Sequence, residues 1–214
     1  MAVAPYDRIF KLGESRLFST IRLAVLLTDS LVITSLAILE KLDFNVENPT
    51  MKFDCESFPL GIHLPIIHPM KTVIQNRPVV AITLNVCERT EQPSGGHTID
   101  AFWALQVDLF SMVFAGFYEQ ELPYIRENFG GDTKRWPQVF QFAWLVRNSI
   151  VHHNGDINFQ NLSFPPVSWH AFAYSPADNG KPIFGPHFAP GDLLMLLFDV
   201  SDELDNLGAP LQPY

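Results

Sequence analysis

The sequence predicts an all-α fold, a helical bundle of four to five helices with Pro-rich insertions and room for one small β-hairpin near 168–184. Three observations carry this expectation. Long stretches repeat apolar residues at helical spacing. Gly, Asn and Pro signals stand where those stretches stop. Hydrophobic residues make up 47% of 214 and charged residues only 17%, the balance of a chain with a large buried core.

The elements follow in order. Residues 14–41 read as the first helix, with Leu17, Ile21, Ala24, Leu31 and Ile38 on one stripe and Leu23, Leu27, Val32 and Leu36 making other sides apolar. That pattern suits a helix covered on most sides. Residues 46–77 carry several prolines and no clean period, as in a long ordered connection with room for a short extended piece. The run 77–91, "RPVVAITLNVCERTE", admits a strand, because it is rich in β-branched residues. A helix opened by Pro78, with Val79, Ile82, Val86 and Arg89 on one face, is preferred for its helical neighbours.

A further helix spans about Ile99 to Asn128, with Phe102, Leu105, Leu109, Met112, Val113, Gly116 and Phe117 inward and Pro123 as a kink or break. "NFGGD" stops it. Pro137 opens the next helix, 136–153, which Asn154-Gly155 closes, because these residues take the left-handed conformation after a helix. Residues 158–190 form a second insertion, in which Asp178-Asn179-Gly180 offers a turn for a hairpin between 168–174 and 181–184. The last helix runs from about Gly191 to Leu207, with Asp192 as N-cap and Gly208 past its end. The whole chain, 1–214, reads as one helical domain with insertions at 46–77 and 158–190.

A net charge of −9 argues against a broad electrostatic grip on nucleic acid while leaving room for a small basic site. Cys55 and Cys87 follow no metal or disulfide pattern, which suits a reduced, cytoplasmic setting. No signal peptide is expected. Residues 19–39 have the length of a membrane span but contain Arg22 and Asp29, so a buried helix and no membrane association are expected.

Phosphate-binding loops, dinucleotide glycine patterns, nucleophile elbows and paired-cysteine zinc spacings are all missing. The chemistry therefore concentrates in "RNSIVHHNGDIN", residues 147–158. On a helix Asn148 and His152 are i and i+4 neighbours. Arg147 lies about 140° around from His152, a gap its long side chain partly closes. Free carbonyls at a helix C-terminus favour a protonated histidine, and an arginine fork suits a phosphate. An acid/base histidine beside a phosphate-binding arginine suffices for RNA cleavage without metal, because the 2′-hydroxyl itself attacks the phosphate. Metal sets built on His63 and His68, on Asp199, Asp202 and Glu203, or on His152, His153 and Asp156 are weaker matches. No metal and no cofactor are expected.

The stretch "RNSIVHHNGDI" resembles the RNxxxH motif region of HEPN-domain proteins, all-α bundles named for higher eukaryotes and prokaryotes nucleotide-binding. The detailed match covers residues 136–157 alone. Carried onto this chain, the motif assigns catalytic positions to Arg147, Asn148 and His152, with His153 fitting only a looser spacing. The resemblance implies a metal-independent endoribonuclease of a toxin–antitoxin or defence system, leaving 2′,3′-cyclic phosphate ends and acting as a homodimer that joins two motifs. It equally admits a non-catalytic dimeric module for a nucleotide, RNA or protein partner.

Overall fold

The computed structural model describes residues 6–38, 50–56, 58–65, 68–89, 100–159, 164–185 and 188–211, the side chains of 35–38 and 100–105 excepted. It overturns the all-α helical bundle. Among the described residues are five α-helices, a four-stranded antiparallel sheet and a two-stranded one, a mixed helix-and-sheet fold. The chain forms two compact units. One comprises Met1–Cys55, Pro59–Leu109 and Leu211–Tyr214; the other comprises Glu56–Phe58 and Phe110–Pro210.

The first unit holds strands β1 (Tyr6–Lys11), β2 (Thr50–Asp54), β3 (Leu60–Pro65) and β4 (Ala81–Glu88), with helices α1 (Phe18–Ile38) and α2 (His68–Ile74). The sheet order is β1-β4-β3-β2. Phe53 stands opposite Ile62, and Ile62 opposite Val86, so one row of buried side chains crosses three strands. The run preferred as a helix is β4. A helix would leave Leu84 about 140° or more from Val79 and Ile82. As a strand it buries Ile82, Leu84 and Val86 and exposes Ala81, Thr83 and Asn85 between them. Each such burial is worth roughly 1.5–3 kcal/mol, more than the preferences of neighbouring segments. The first insertion is likewise structured, since β2, β3 and α2 lie in it.

Helix α1 buries Ile21, Ala24, Val25, Thr28 and Val32, but Leu23 is 50% and Leu27 38% exposed, so it is not covered on most sides. Asp29, buried in α1, accepts the N–H of Met70 in the first turn of α2. This places a carboxylate where the N–H groups of that turn lack helical partners. No helix among the described residues is long and apolar enough to cross a membrane.

The second unit positions the site. Helix α3 (Asp100–Phe129) keeps Pro123 inside it without ending. Its inward stripe differs from the expected one by a small rotation. Phe110, Val113, Phe114, Phe117, Tyr118 and Leu122 are buried, whereas Met112 is 74% exposed and Gly116 also faces out. The side chains of Phe102 and Leu105 lie outside the described residues. Helix α4 (Gln138–His152) follows Pro137, which is its N-cap rather than its first residue.

Helix α5 (Pro190–Asn206) buries every residue from Pro190 to Phe198. Asp192 is not its N-cap; from the third position it accepts the N–H of Ala189, the residue that is. The small hairpin exists but turns elsewhere than expected. Strand β5 (Val167–Trp169) pairs with β6 (Phe172–Tyr174) around His170 and Ala171, with His170 at φ 49°. Asp178 instead ends a 3₁₀ turn, Pro176–Asp178, and Asn179-Gly180 follow it. Phe142 of α4 packs its ring against Trp169, Phe172 and Phe188, at 5.5, 6.0 and 6.3 Å between centroids. This aromatic cluster fastens α4 to the hairpin.

Candidate active site at the end of helix α4

Helix α4 buries Phe140, Phe142, Ala143, Leu145, Val146 and Ser149 on its inner side. Its last turn closes as the sequence predicts. Asn154 has φ 53° and Gly155 φ 87°, and the N–H groups of His153 and Gly155 both reach the carbonyl of Ser149. Asn tolerates the left-handed region better than most residues, and Gly enters it freely. The reversal ends the helix directly after His152 and leaves that ring exposed.

The structure brings Arg147, Asn148 and His152 together, with the arginine at the centre. Nη1 of Arg147 lies 2.8 Å from Oδ1 of Asn148 and 2.8 Å from Nε2 of His152. The i, i+4 relation of Asn148 and His152 is therefore mediated by the guanidinium. A guanidinium only donates, so Nε2 of His152 accepts and its neutral ring carries the proton on Nδ1. In this state the imidazole is a base whose lone pair is held by a cation.

Three further groups complete the site, and no motif announced them. Glu119 of α3 forms an ion pair with Nη2 of Arg147. Trp144, one turn before Arg147 on the same face of α4, lies under the guanidinium at 5.3 Å. Tyr118 is fully buried and donates its hydroxyl to the carbonyl of Phe140, which ties α3 to the start of α4. Burial draws the Arg147 guanidinium below the ordinary arginine range, and Tyr118 beside it acts in the opposite direction. Its Nε is buried without a hydrogen-bond partner among the described residues.

Trp144 could have been suspected from the i, i+3 spacing of an aromatic and an arginine. Glu119 could not, since it sits on another helix.

A cavity of about 260 Å³ opens beside this cluster. Trp144 and Asn148 line it, so it shares a wall with the arginine's surroundings.

The other ionisable sets stay apart. His153 turns away from His152, with ring centroids 6.3 Å apart at 71°, and its Nδ1 lies 3.2 Å from Nδ2 of Asn158. His63 sits on β3 beside Thr50, with its ring pulled below the usual histidine range by burial and then by Lys52. Asp199 accepts from Trp169 Nε1 and lies 2.7 Å from His170 Nε2. Among the described residues no three His, Cys, Asp or Glu side chains are grouped to hold a metal ion. No family model, curated protein or solved structure matches the chain.

Proposed function

We propose that this chain is a metal-independent endoribonuclease of a toxin or defence system, built around a motif like that of HEPN-domain proteins and acting as a homodimer. One observation carries the reading: a single guanidinium contacts both Asn148 and the ring nitrogen of His152 at 2.8 Å, at an exposed helix end. In the proposed reaction Arg147 binds the scissile phosphate through its fork. As the fork turns to the phosphate it releases Nε2 of His152, which then takes the proton from the 2′-hydroxyl as general base. The 2′-oxygen forms a bond to phosphorus and the bond from phosphorus to the 5′-oxygen breaks. The departing 5′-oxygen takes a proton from water or from a protonated histidine of a second copy. The products are a 2′,3′-cyclic phosphate and a 5′-hydroxyl. Asn148 holds the arginine in the orientation that serves both partners.

A second reading, a non-catalytic module for a nucleotide, RNA or protein, draws on the Glu119 ion pair, which already satisfies one arm of the guanidinium. The two readings part in one experiment. Wild type, His152→Ala and His153→Ala are incubated with a mixed-sequence RNA, with and without EDTA, and product ends are mapped. The ribonuclease reading expects cyclic phosphate ends, survival in EDTA, loss of about 10²- to 10⁴-fold for His152→Ala and a much smaller loss for His153→Ala. Equal cleavage by wild type and His152→Ala assigns the activity to a contaminant and favours the binding module.

A further inference from the structure

We infer that the cavity beside Arg147 is a nucleobase subsite that holds one unstacked base of the RNA and prefers guanine; this rests on the ribonuclease reading above. The cavity is lined by the rings of Phe159, Phe164 and Trp144 and by amide groups in Gln141, Asn148 and Asn158; the Trp144 ring already carries the Arg147 and Arg126 guanidiniums, so stacking falls to Phe159 and Phe164. Every base offers a flat face, and stacking on an aromatic ring is worth roughly 1–3 kcal/mol per base. Its volume of about 260 Å³ falls just below the range of about 300–1,000 Å³ usual for drug-sized ligands, which fits one base better than a longer segment.

The amides decide which base. Oδ1 of Asn148 is taken by Arg147, a donor-only group, so the amide orientation is fixed and Nδ2 is left to donate into the cavity. Gln141 spends Nε2 on the carbonyls of Lys134 and Trp136, which leaves Oε1 to accept. Asn158 directs Nδ2 at His153 and keeps Oδ1. The three amides offer one donor and two acceptors, with Asp132, Thr133 and Lys134 completing the polar lining, and that amide set complements a base edge with one acceptor and two donors. Guanine has that edge, with O6 accepting and N1–H and the N2 amino group donating. Adenine, cytosine and uracil each leave at least one of these groups unmatched, and a buried polar group without a partner costs about 1–3 kcal/mol.

Position adds a second argument. The Trp144 ring that forms the cavity wall carries the Arg147 guanidinium at 5.3 Å. A base seated there would lie against two residues, Trp144 and Asn148, that themselves contact the Arg147 guanidinium. Lys134, 5.6 Å above the Phe164 ring, adds a cation on the same rim. The subsite would thus select the nucleotide next to which the chain cuts.

The test uses the full chain and two kinds of probe. Binding of the four ribonucleoside 5′-monophosphates, and of short oligoribonucleotides carrying a single G, A, C or U, is followed by calorimetry, and cleavage positions in the oligonucleotides are mapped. The inference expects the G-containing oligonucleotide to bind at least tenfold more tightly than the A-, C- and U-containing ones, with cuts beside G. Phe164→Ala and Asn158→Ala, each checked for folding by circular dichroism, should flatten that preference, whereas His152→Ala should keep it while cleaving nothing. Cleavage with less than twofold base discrimination overturns the subsite and leaves the ribonuclease reading standing. Guanine-selective binding without any cleavage keeps the subsite and removes the ribonuclease reading. A mononucleotide that binds more tightly than the oligonucleotide of the same base overturns the docking of RNA there.

Discussion

Glu119 and Arg147 form an ion pair of unequal exposure: the arginine side chain is 11% exposed and the glutamate 45%. The cation is held by the fold, whereas its anion stands at the surface and can be exchanged. A phosphate approaching from solvent would meet a guanidinium already oriented by Asn148 and His152, and would compete with a carboxylate held on one side only.

Glu119→Gln should therefore strengthen anion binding. Solvent screens the pair on its carboxylate side, and surface pairs contribute about 0.2–1 kcal/mol, so phosphate or mononucleotide affinity should rise by roughly fivefold. Titration at low and high salt reads this out, with the larger gain at low salt. Weaker binding in the variant would show that Glu119 positions Arg147 rather than competing for it.

On the ribonuclease reading proposed above, Arg147→Lys should be nearly as inactive as Arg147→Ala. A lysine is a point charge on a flexible stem and cannot span Asn148, His152 and Glu119 as the planar fork does. Cleavage should fall by at least about 10²-fold in both variants. A lysine variant with near wild-type rates would mean that only charge is needed.

Tyr118 makes a prediction about alkaline pH. Burial pushes its phenol far above the ordinary tyrosine range, with Arg147 and Arg126 acting more weakly against it. A raised folded-state value means that its stability contribution is complete below the unfolded value of about 10 and is lost as pH rises beyond it. Above that pH, wild type should lose about 1.4 kcal/mol per pH unit more than Tyr118→Phe. At neutral pH the variant should be about 1 kcal/mol less stable, for the lost hydrogen bond to Phe140. Urea melts across the alkaline range test both, and parallel pH slopes would sink the first.

Asn154 holds a left-handed backbone at φ 53°. Asn154→Ala should cost about 1 kcal/mol, since a Cβ without a compensating polar group is disfavoured there. Asn154→Gly should be neutral within about 0.5 kcal/mol. Thermal melts of the two variants check this, and equal destabilisation would point to a side-chain role instead.

The helices near the site were legible because their signals are local. Pro137, the apolar run of α4 and Asn154-Gly155 name one element and both its ends, and the structure agrees to within a residue or two. The sheet was hidden by context. In β4 the alternation of Ile82, Leu84 and Val86 with Thr83 and Asn85 is visible, but so short a period does not by itself separate a strand from a helix. In β2 and β3 the strands are short and flanked by prolines, so their partners, far along the chain, decide their form. The same limit applies to the site. Arg147, Asn148, Trp144 and His152 lie within nine residues, whereas Glu119 and Tyr118 reach them only through the packing of α3 on α4.

The closure of α4 also sets how this molecule ages. Asn-Gly is the dipeptide most prone to deamidation, because an unhindered glycine nitrogen can attack the asparagine side chain to form a succinimide. Here that nitrogen is engaged: the N–H of Gly155 donates to Ser149 at 2.8 Å, and its carbonyl accepts from Ile183 at 2.7 Å. The ring can form, with loss of ammonia from the asparagine amide, only when the bond to Ser149 opens, and hydrolysis then leaves an isoaspartate whose extra backbone carbon no longer fits the reversal behind His152. Isoaspartate at position 154, counted by peptide mapping after storage, would be a clock for the time the end of this helix has spent undone.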